Sequence, residues 1–147
     1  MAETGGLRLL ADDAEGLSLM AAAVQDALVR PQDMAFNRRA RSFGLEVNRF
    51  QWERAGRRPP YFRSRAILAL SGVLNVRSQA LPRGVDDVLS LLDVRFHPGA
   101  EAPAGEVELA FAGGGRLMVQ VECLEATLQD TGPVWPTRRK PDHGTRP

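Results

Sequence analysis

Apolar and polar residues alternate along most of this chain, and this alternation restricts it to a fold rich in β-sheet. The pattern is clearest in residues 106–111 and again in residues 116–129, with three consecutive glycines between the two segments. Alternation with a period of two is typical of strands with one buried face, and a glycine run between two such segments is typical of a hairpin turn. The C-terminal third is therefore predicted to be an antiparallel pair.

The returning segment of that pair contains a change of phase. Its apolar residues occupy odd positions up to Cys123 and even positions from Leu124 onward. A one-residue change of phase inside a strand is what a β-bulge produces. We therefore expect a strongly bent strand that serves two parts of a curved sheet. Cys123, the only cysteine, is expected to be a buried apolar residue, and it can form no internal disulfide.

Other segments also have strand patterns. Residues 33–36 and 42–50 flank a polar turn and are predicted to form a hairpin. Residues 62–78 form a long strand-like run that is bent or broken at Gly72. Residues 88–96 are predicted to be a strand, although the spacing of their apolar residues also fits a short helix.

Only one segment has the period of a long helix. Its apolar residues recur at steps of three and four: Leu17, Met20, Val24 and Leu28. Asp12 and Glu15 resemble a capping pair at its start, and Pro31 excludes helical backbone at the residue before it. The sequence therefore predicts a helix over residues 13–28, preceded by a short strand at residues 7–11.

These elements predict an α+β fold: a curved antiparallel sheet or partly closed barrel of about six to eight strands with one N-terminal amphipathic helix. We predict a single domain over residues 1–130 and a basic, proline-rich C-terminal tail over residues 131–147, with Trp135 holding the start of the tail against the domain. The sequence contains no apolar run long enough to cross a membrane and no signal-peptide pattern, so we predict a cytoplasmic protein.

Positive charge is concentrated in one stretch. Residues 30–65 contain ten arginines and three acidic residues, although the net charge of the whole chain is only +1. Guanidinium groups bind carboxylates and phosphates, and aromatic rings stack on unpaired bases. The candidate binding residues in this stretch are Arg38, Arg39, Arg41, Trp52, Arg54, Arg57, Arg58, Tyr61 and Arg63.

Several uses of this stretch remain open. We predict a non-catalytic binding or accessory module that holds an acidic protein partner, with binding of single-stranded nucleic acid as the alternative. A third possibility is a homodimer in which basic and acidic faces pair. The simplest alternative is a solvated arginine face whose aromatic residues belong to the core.

Residues that carry catalytic or metal chemistry are few. His97 and His143 have no His, Cys or acidic partner at metal-ligand spacing, so neither a metal site nor a cofactor is predicted. Glu122 and Glu125 are expected to be solvated. The glycine run lacks the following helix and Lys-Ser/Thr pair of a phosphate loop. The rival to a binding module is a small-molecule binder or enzyme with a pocket in the curved sheet that uses His97 or Arg95.

Five segments of the chain carry a resemblance to a known family: residues 7–13, LEVNRFQWE at 45–53, VLSLLDVRFHPG at 88–99, AFAGGGRLMVQVECLEATLQD at 110–130 and GPVW at 132–135. On these segments the sequence resembles a family of short alphaproteobacterial proteins catalogued as a domain of unknown function (number 2948). The resemblance implies an intracellular protein in which this domain is the whole product. It offers no activity, cofactor or catalytic residues.

Overall fold

The computed structural model describes residues 6–141. It contains one α-helix, α1 (Ala14–Ala23), and single turns of 3-10 helix at Pro31–Asp33 and Trp52–Arg54. The strands in chain order are β1 (Arg8–Ala11), β2 (Ala27–Val29), β3 (Met34–Asn37), β4 (Ser42–Phe50), β5 (Tyr61–Ser71), β6 (Val73–Gln79), β7 (Leu89–Pro98), β8 (Gly105–Phe111), β9 (Arg116–Val121) and β10 (Ala126–Thr137).

The ten strands form one antiparallel sheet in the order β1-β10-β5-β4-β2-β7-β8-β9-β6, and β3 pairs with β4 beside this path. The sheet is not closed, because β1 and β6 end the path. The prediction of a mostly antiparallel sheet with one helix is confirmed. The predicted number of six to eight strands is wrong, because two long runs each divide into two strands and part of the predicted helix forms β2.

The two long runs divide at the same corner. Gly72, with a φ of 65°, separates β5 from β6, and a short link separates β9 from β10. At this corner the Ser71 amide donates to the Glu125 carbonyl (3.0 Å), and the Glu122 amide donates to the Gly72 carbonyl (2.9 Å). Cys123 lies half-buried in the link. The change of phase therefore marks a turn between two strands rather than a bulge in one, and the expected bend is present.

The helix is shorter than predicted. Its N-cap is Asp13, not Asp12, and the Asp13 carboxylate accepts from the Gly16 amide at 2.7 Å. The helix ends well before residue 28, because Asp26 has a φ of 62° and its amide donates to the Leu91 carbonyl. The chain then runs along β7 and β4 as β2. Pairing with two neighbouring strands thus outweighs the helical spacing of the apolar residues.

One core fills the space between the sheet and the helix. The helix buries Leu17 and Met20, and packs against β1 and β7. In the predicted hairpin, β4 buries its odd positions as expected, among them Phe43, Leu45 and Val47. These side chains and the inner faces of the remaining strands form a single apolar cluster.

The last strand extends into the segment that was expected to be a tail. β10 continues to Thr137, and Trp135 lies opposite Arg63 of β5, so residues 131–137 are part of the sheet. Its register shifts between Asp130 and Val134, which accommodates the proline between them. His143 lies outside the described residues.

Candidate functional site

The strand β4 separates the nine predicted binding residues into two groups. Arg38, Arg39 and Arg41 lie in or beside the turn before β4, and the other six follow its far end. β4 is nine residues long, and at about 3.3 Å per residue its two ends lie about 27 Å apart. The predicted residues therefore do not form one continuous surface.

The group before β4, which we call the turn arginines (Arg38, Arg39 and Arg41), is exposed. The guanidinium of Arg38 lies 5.0 Å from the centre of the Phe36 ring. Arg41 forms an ion pair with Glu122 across the corner at 2.8 Å. Within residues 6–141, Arg38 and Arg39 have no carboxylate within ion-pair distance.

Three aromatic rings between the end of β4 and the start of β5 pack together. Phe50 packs on Trp52 and Tyr61, with ring centres 4.6 and 5.6 Å apart. Phe50 is fully buried and Tyr61 is 6% exposed. The Trp52 indole donates to the Gln25 carbonyl at 2.9 Å, and the Tyr61 hydroxyl donates to the Arg57 carbonyl at 3.3 Å. These rings stabilise the loop between β4 and β5. Their packing agrees with the simplest alternative given above, in which the aromatic residues belong to the core.

Two of the predicted arginines are used within the protein. The guanidinium of Arg54 covers the Phe62 ring at 4.0 Å. Arg63 donates to the backbone and side-chain oxygens of Asn48 at 3.1 and 3.0 Å. Burial lowers the pKa of Arg63, and the charge of Asp26 offsets part of this decrease. Arg63 is therefore partly buried, whereas Arg54 remains exposed.

The other two arginines after β4, Arg57 and Arg58, lie near basic residues that were not among the predicted binding residues. Because Thr137 pairs with Tyr61, the chain after β10 lies at the same end of the sheet as the loop before β5. Five exposed cations lie at this end, which we call the basic end: Arg57, Arg58, Arg138, Arg139 and Lys140. In the part of the chain that the structure describes, none of them has a carboxylate within ion-pair distance. The basic tail was visible in the sequence, but its position opposite Tyr61 was not.

Arg49 was not among the predicted residues, yet it is the centre of a polar cluster that is mostly buried. Its side chain is 0% exposed. Its Nε and Nη2 atoms donate to the two Asp130 oxygens at 2.8 and 3.0 Å, and Nη2 and Nη1 donate to the two Glu53 oxygens at 2.7 and 3.1 Å. Nη1 also donates to the Ala23 carbonyl at 3.5 Å. All five N–H donors of the guanidinium are therefore used.

The cluster extends from Asp130 into neighbouring elements. The Asp130 carboxylate also accepts from the Leu7 amide at 2.9 Å and from the Ser64 hydroxyl at 3.3 Å. Ser64 in turn accepts from the Gln51 side chain at 3.1 Å. The cluster thus connects the start of β1, the end of α1, β4, β5 and β10. No donor of Arg49 is left for a ligand, so the cluster is structural.

The charges of the cluster stabilise one another. Burial alone would raise the pKa of Asp130, but hydrogen bonds from Arg49 and the Leu7 amide outweigh it and lower that pKa below its usual range. Burial would also raise the pKa of Glu53, and the hydrogen bonds from Arg49 reverse this effect. The pKa of Arg49 is raised despite its burial, because both carboxylates bind it. All three groups are therefore charged at neutral pH.

A second charged group lies on the outer face of β7, β8 and β9. Glu108 contacts His97 at 2.7 Å and Arg116 at 3.0 Å. The His97 and Arg116 side chains are both about half exposed, so His97 makes a surface contact on a strand. Among the described residues, no group of three or more His, Cys, Asp or Glu side chains could hold a metal ion, and no helix is long and apolar enough to span a membrane.

Comparison with known proteins gives one match. The family model described as "Protein of unknown function (DUF2948)" matches residues 7–143. No curated protein and no solved structure matches the chain. The matched region includes every strand of the sheet, and the family's description states no reaction or ligand.

Proposed function

We propose that this chain, which belongs to the family described as protein of unknown function (DUF2948), is a non-catalytic binding module that holds an acidic segment of a partner protein at its basic end. The observation that carries the proposal is the pairing of Thr137 with Tyr61. This pairing brings two basic sequence segments to one end of the sheet. Exposed guanidinium groups without carboxylate partners attract carboxylates and orient an approaching acidic chain.

The position of the aromatic rings favours a protein partner over single-stranded nucleic acid. Binding of unpaired bases relies on exposed ring faces on which successive bases stack. Here Phe50 and Tyr61 are buried, and Arg54 covers Phe62. The basic end therefore offers charge with few rings for stacking, which suits carboxylates better than bases. We further propose that binding takes place in the cytoplasm, since the chain has a single cysteine and no internal disulfide.

Fluorescence anisotropy tests this proposal. A labelled oligoglutamate peptide and a labelled single-stranded DNA of equal charge are titrated with the protein at low salt and at about 0.15 M salt. We expect the peptide to bind more tightly than the DNA at both salt concentrations. Tighter, strongly salt-dependent binding of the DNA would contradict the proposal and favour the nucleic-acid alternative.

The chain supplies a matched pair of variants for the same titration. The double substitution Arg57→Gln/Arg58→Gln removes two adjacent exposed arginines from the basic end, and we expect it to weaken peptide binding about tenfold. Arg38→Gln/Arg39→Gln removes the same charge from the turn arginines and should leave binding close to that of the parent protein. Equal losses in the two variants would mean that the peptide responds to net charge alone, and the proposed site would be wrong.

A further inference from the structure

A cleft lies between β3, which pairs with β4 beside the main path of the sheet, and β6, which ends that path. Each of these strands has one partner in the described sheet, β4 for β3 and β9 for β6. The turn between β3 and β4 approaches β6 at the corner, where the Val73 amide donates to the Arg41 carbonyl at 2.9 Å. Elsewhere β3 and β6 are separated by the cleft, which the loop after β6 borders and where the Gln32 side chain donates to the Val85 carbonyl at 3.4 Å.

The cleft is largely apolar and reaches the core. Its volume is about 530 Å³, within the range of pockets that hold small organic ligands. The core residues Phe43 and Leu117, only 3% and 4% exposed, line its interior, and Phe36 and Leu81 line it further out. Val85, at the border of the cleft, is 80% exposed. A ligand in the cleft would remove this apolar surface from water.

Among the described residues, the only charged side chain that lines the cleft is cationic. Arg83 lies in its wall, and its guanidinium donates to the Ser78 hydroxyl. Within the described residues Arg83 has no carboxylate partner, and no Asp or Glu lines the cleft. Arg38 covers the Phe36 ring and adds a second positive charge nearby. An apolar cavity with a positioned guanidinium is complementary to a molecule with an apolar body and one anionic group.

We propose that this cleft binds a small amphipathic monoanion, whose apolar body packs against Phe36, Phe43 and Leu117 and whose carboxylate pairs with Arg83. This site is separate from the basic end, since it shares no residue with it. It can therefore fail or hold independently of the proposed function.

Isothermal titration calorimetry with decanoate and with decanol tests the site. The two probes have the same chain length and differ in charge. We expect decanoate to bind more tightly than decanol, with the negative heat-capacity change of apolar burial. Arg83→Gln should weaken decanoate binding about tenfold and leave decanol binding unchanged. Val85→Asn, at an exposed position, should weaken binding of both probes.

The control is Arg77→Gln on β6. Arg77 is next to Ser78 in the chain, but its side chain pairs with Glu106 on the outer face and does not line the cleft. Arg77→Gln removes one positive charge near the cleft, as Arg83→Gln does, but decanoate binding should not change. The proposal is overturned if decanoate does not bind, if decanol binds as tightly, or if Arg77→Gln and Arg83→Gln have equal effects. Circular dichroism establishes that each variant retains the sheet.

Discussion

Two ion-pair groups in this protein have similar chemistry in different surroundings. In one, the buried Arg49 binds the carboxylates of Asp130 and Glu53. In the other, Glu108 binds His97 and Arg116 on the outer face of the sheet. In the first group Arg49 and Asp130 are 0% and 5% exposed, and Glu53 at its edge is 44% exposed. In the second group His97 and Arg116 are 48% and 46% exposed, and Glu108 between them is 13% exposed.

This difference in exposure determines what each group contributes. Water solvates His97 and Arg116 whether or not they are paired, so such pairs add about 0 to 1 kcal/mol to stability. Arg49 has no access to water, and its charge is tolerated only because every donor is paired. Removing one partner of a buried pair leaves the other charge without solvent. The energetic importance of a charged residue therefore follows from its burial and hydrogen bonds, not from the local density of charge.

The largest expected effect comes from Arg49→Met. This substitution leaves the Asp130 carboxylate buried without its main partner, and we expect the free energy of unfolding to fall by about 3 to 5 kcal/mol. Urea denaturation measures the change, with an unchanged m value as evidence that the folded and unfolded states remain comparable. Arg49→Lys retains the charge but not the paired donors. Its free energy of unfolding should lie between that of the parent protein and that of Arg49→Met. A loss below about 1 kcal/mol in Arg49→Met would mean that the buried cluster contributes no more to stability than a surface ion pair does.

The next effect is a dependence of stability on acid pH. The pKa values of Asp130 and Glu53 are lowered in the folded protein. Their stabilisation is thus fully present above the unfolded values of about 3.9 and 4.3, and is lost as pH falls through the lower folded values. Thermal unfolding between about pH 6 and about pH 2 should show this loss. Asp130→Asn should reduce the change of stability with pH. An unchanged pH dependence in this variant would exclude Asp130 as its source.

A smaller effect is expected from Ser64→Ala. The Ser64 hydroxyl donates to Asp130 and accepts from the Gln51 side chain, so its removal leaves a buried amide donor without a partner. We expect a loss of about 1 to 2 kcal/mol by urea denaturation. Ser71→Ala, at an exposed position of the same strand, is the matched control and should change stability by less than about 0.5 kcal/mol. Equal losses would mean that the hydroxyl contributes nothing through the cluster.

The smallest effect is expected from Arg116→Gln on the outer face. Solvent already screens its pair with Glu108, so the free energy of unfolding should change by less than about 0.5 kcal/mol. Added salt should make the difference smaller still. A loss above about 1.5 kcal/mol would show that exposure does not explain the different contributions of the two groups to stability.

Local patterns predicted the parts of the fold that depend on neighbouring residues. The hairpin of β3 and β4 follows from alternation on either side of a polar turn, and the bend at Gly72 follows from a glycine within an apolar run. The helix was predicted too long, because Val24 and Leu28 fit its period. The structure instead places a turn at Asp26 and pairs the next residues with β4 and β7. Those partners lie too far along the chain for a local pattern to reveal.

The candidate site shows the same limit. The charge pattern correctly indicated a basic stretch, but charge alone does not say which arginines face inward. Position 49 has the same parity as the apolar positions 43, 45 and 47, so alternation could have indicated that Arg49 is buried. Its partner Asp130 could not be identified in this way, since it is 81 residues away. For the same reason, the sequence could not show that the chain after β10 lies beside the loop before β5.

The place of β10 between β1 and β5 also affects how the protein is made. A ribosome delivers β4 well before β10, so Arg49 has Glu53 within reach while Asp130 does not yet exist. A guanidinium that lacks two of its hydrogen bonds is more stable in water than in an apolar interior. The inner face of β4 therefore cannot be buried permanently during early synthesis. Because β10 is synthesised after β4 and β5, it is the strand that completes this part of the core.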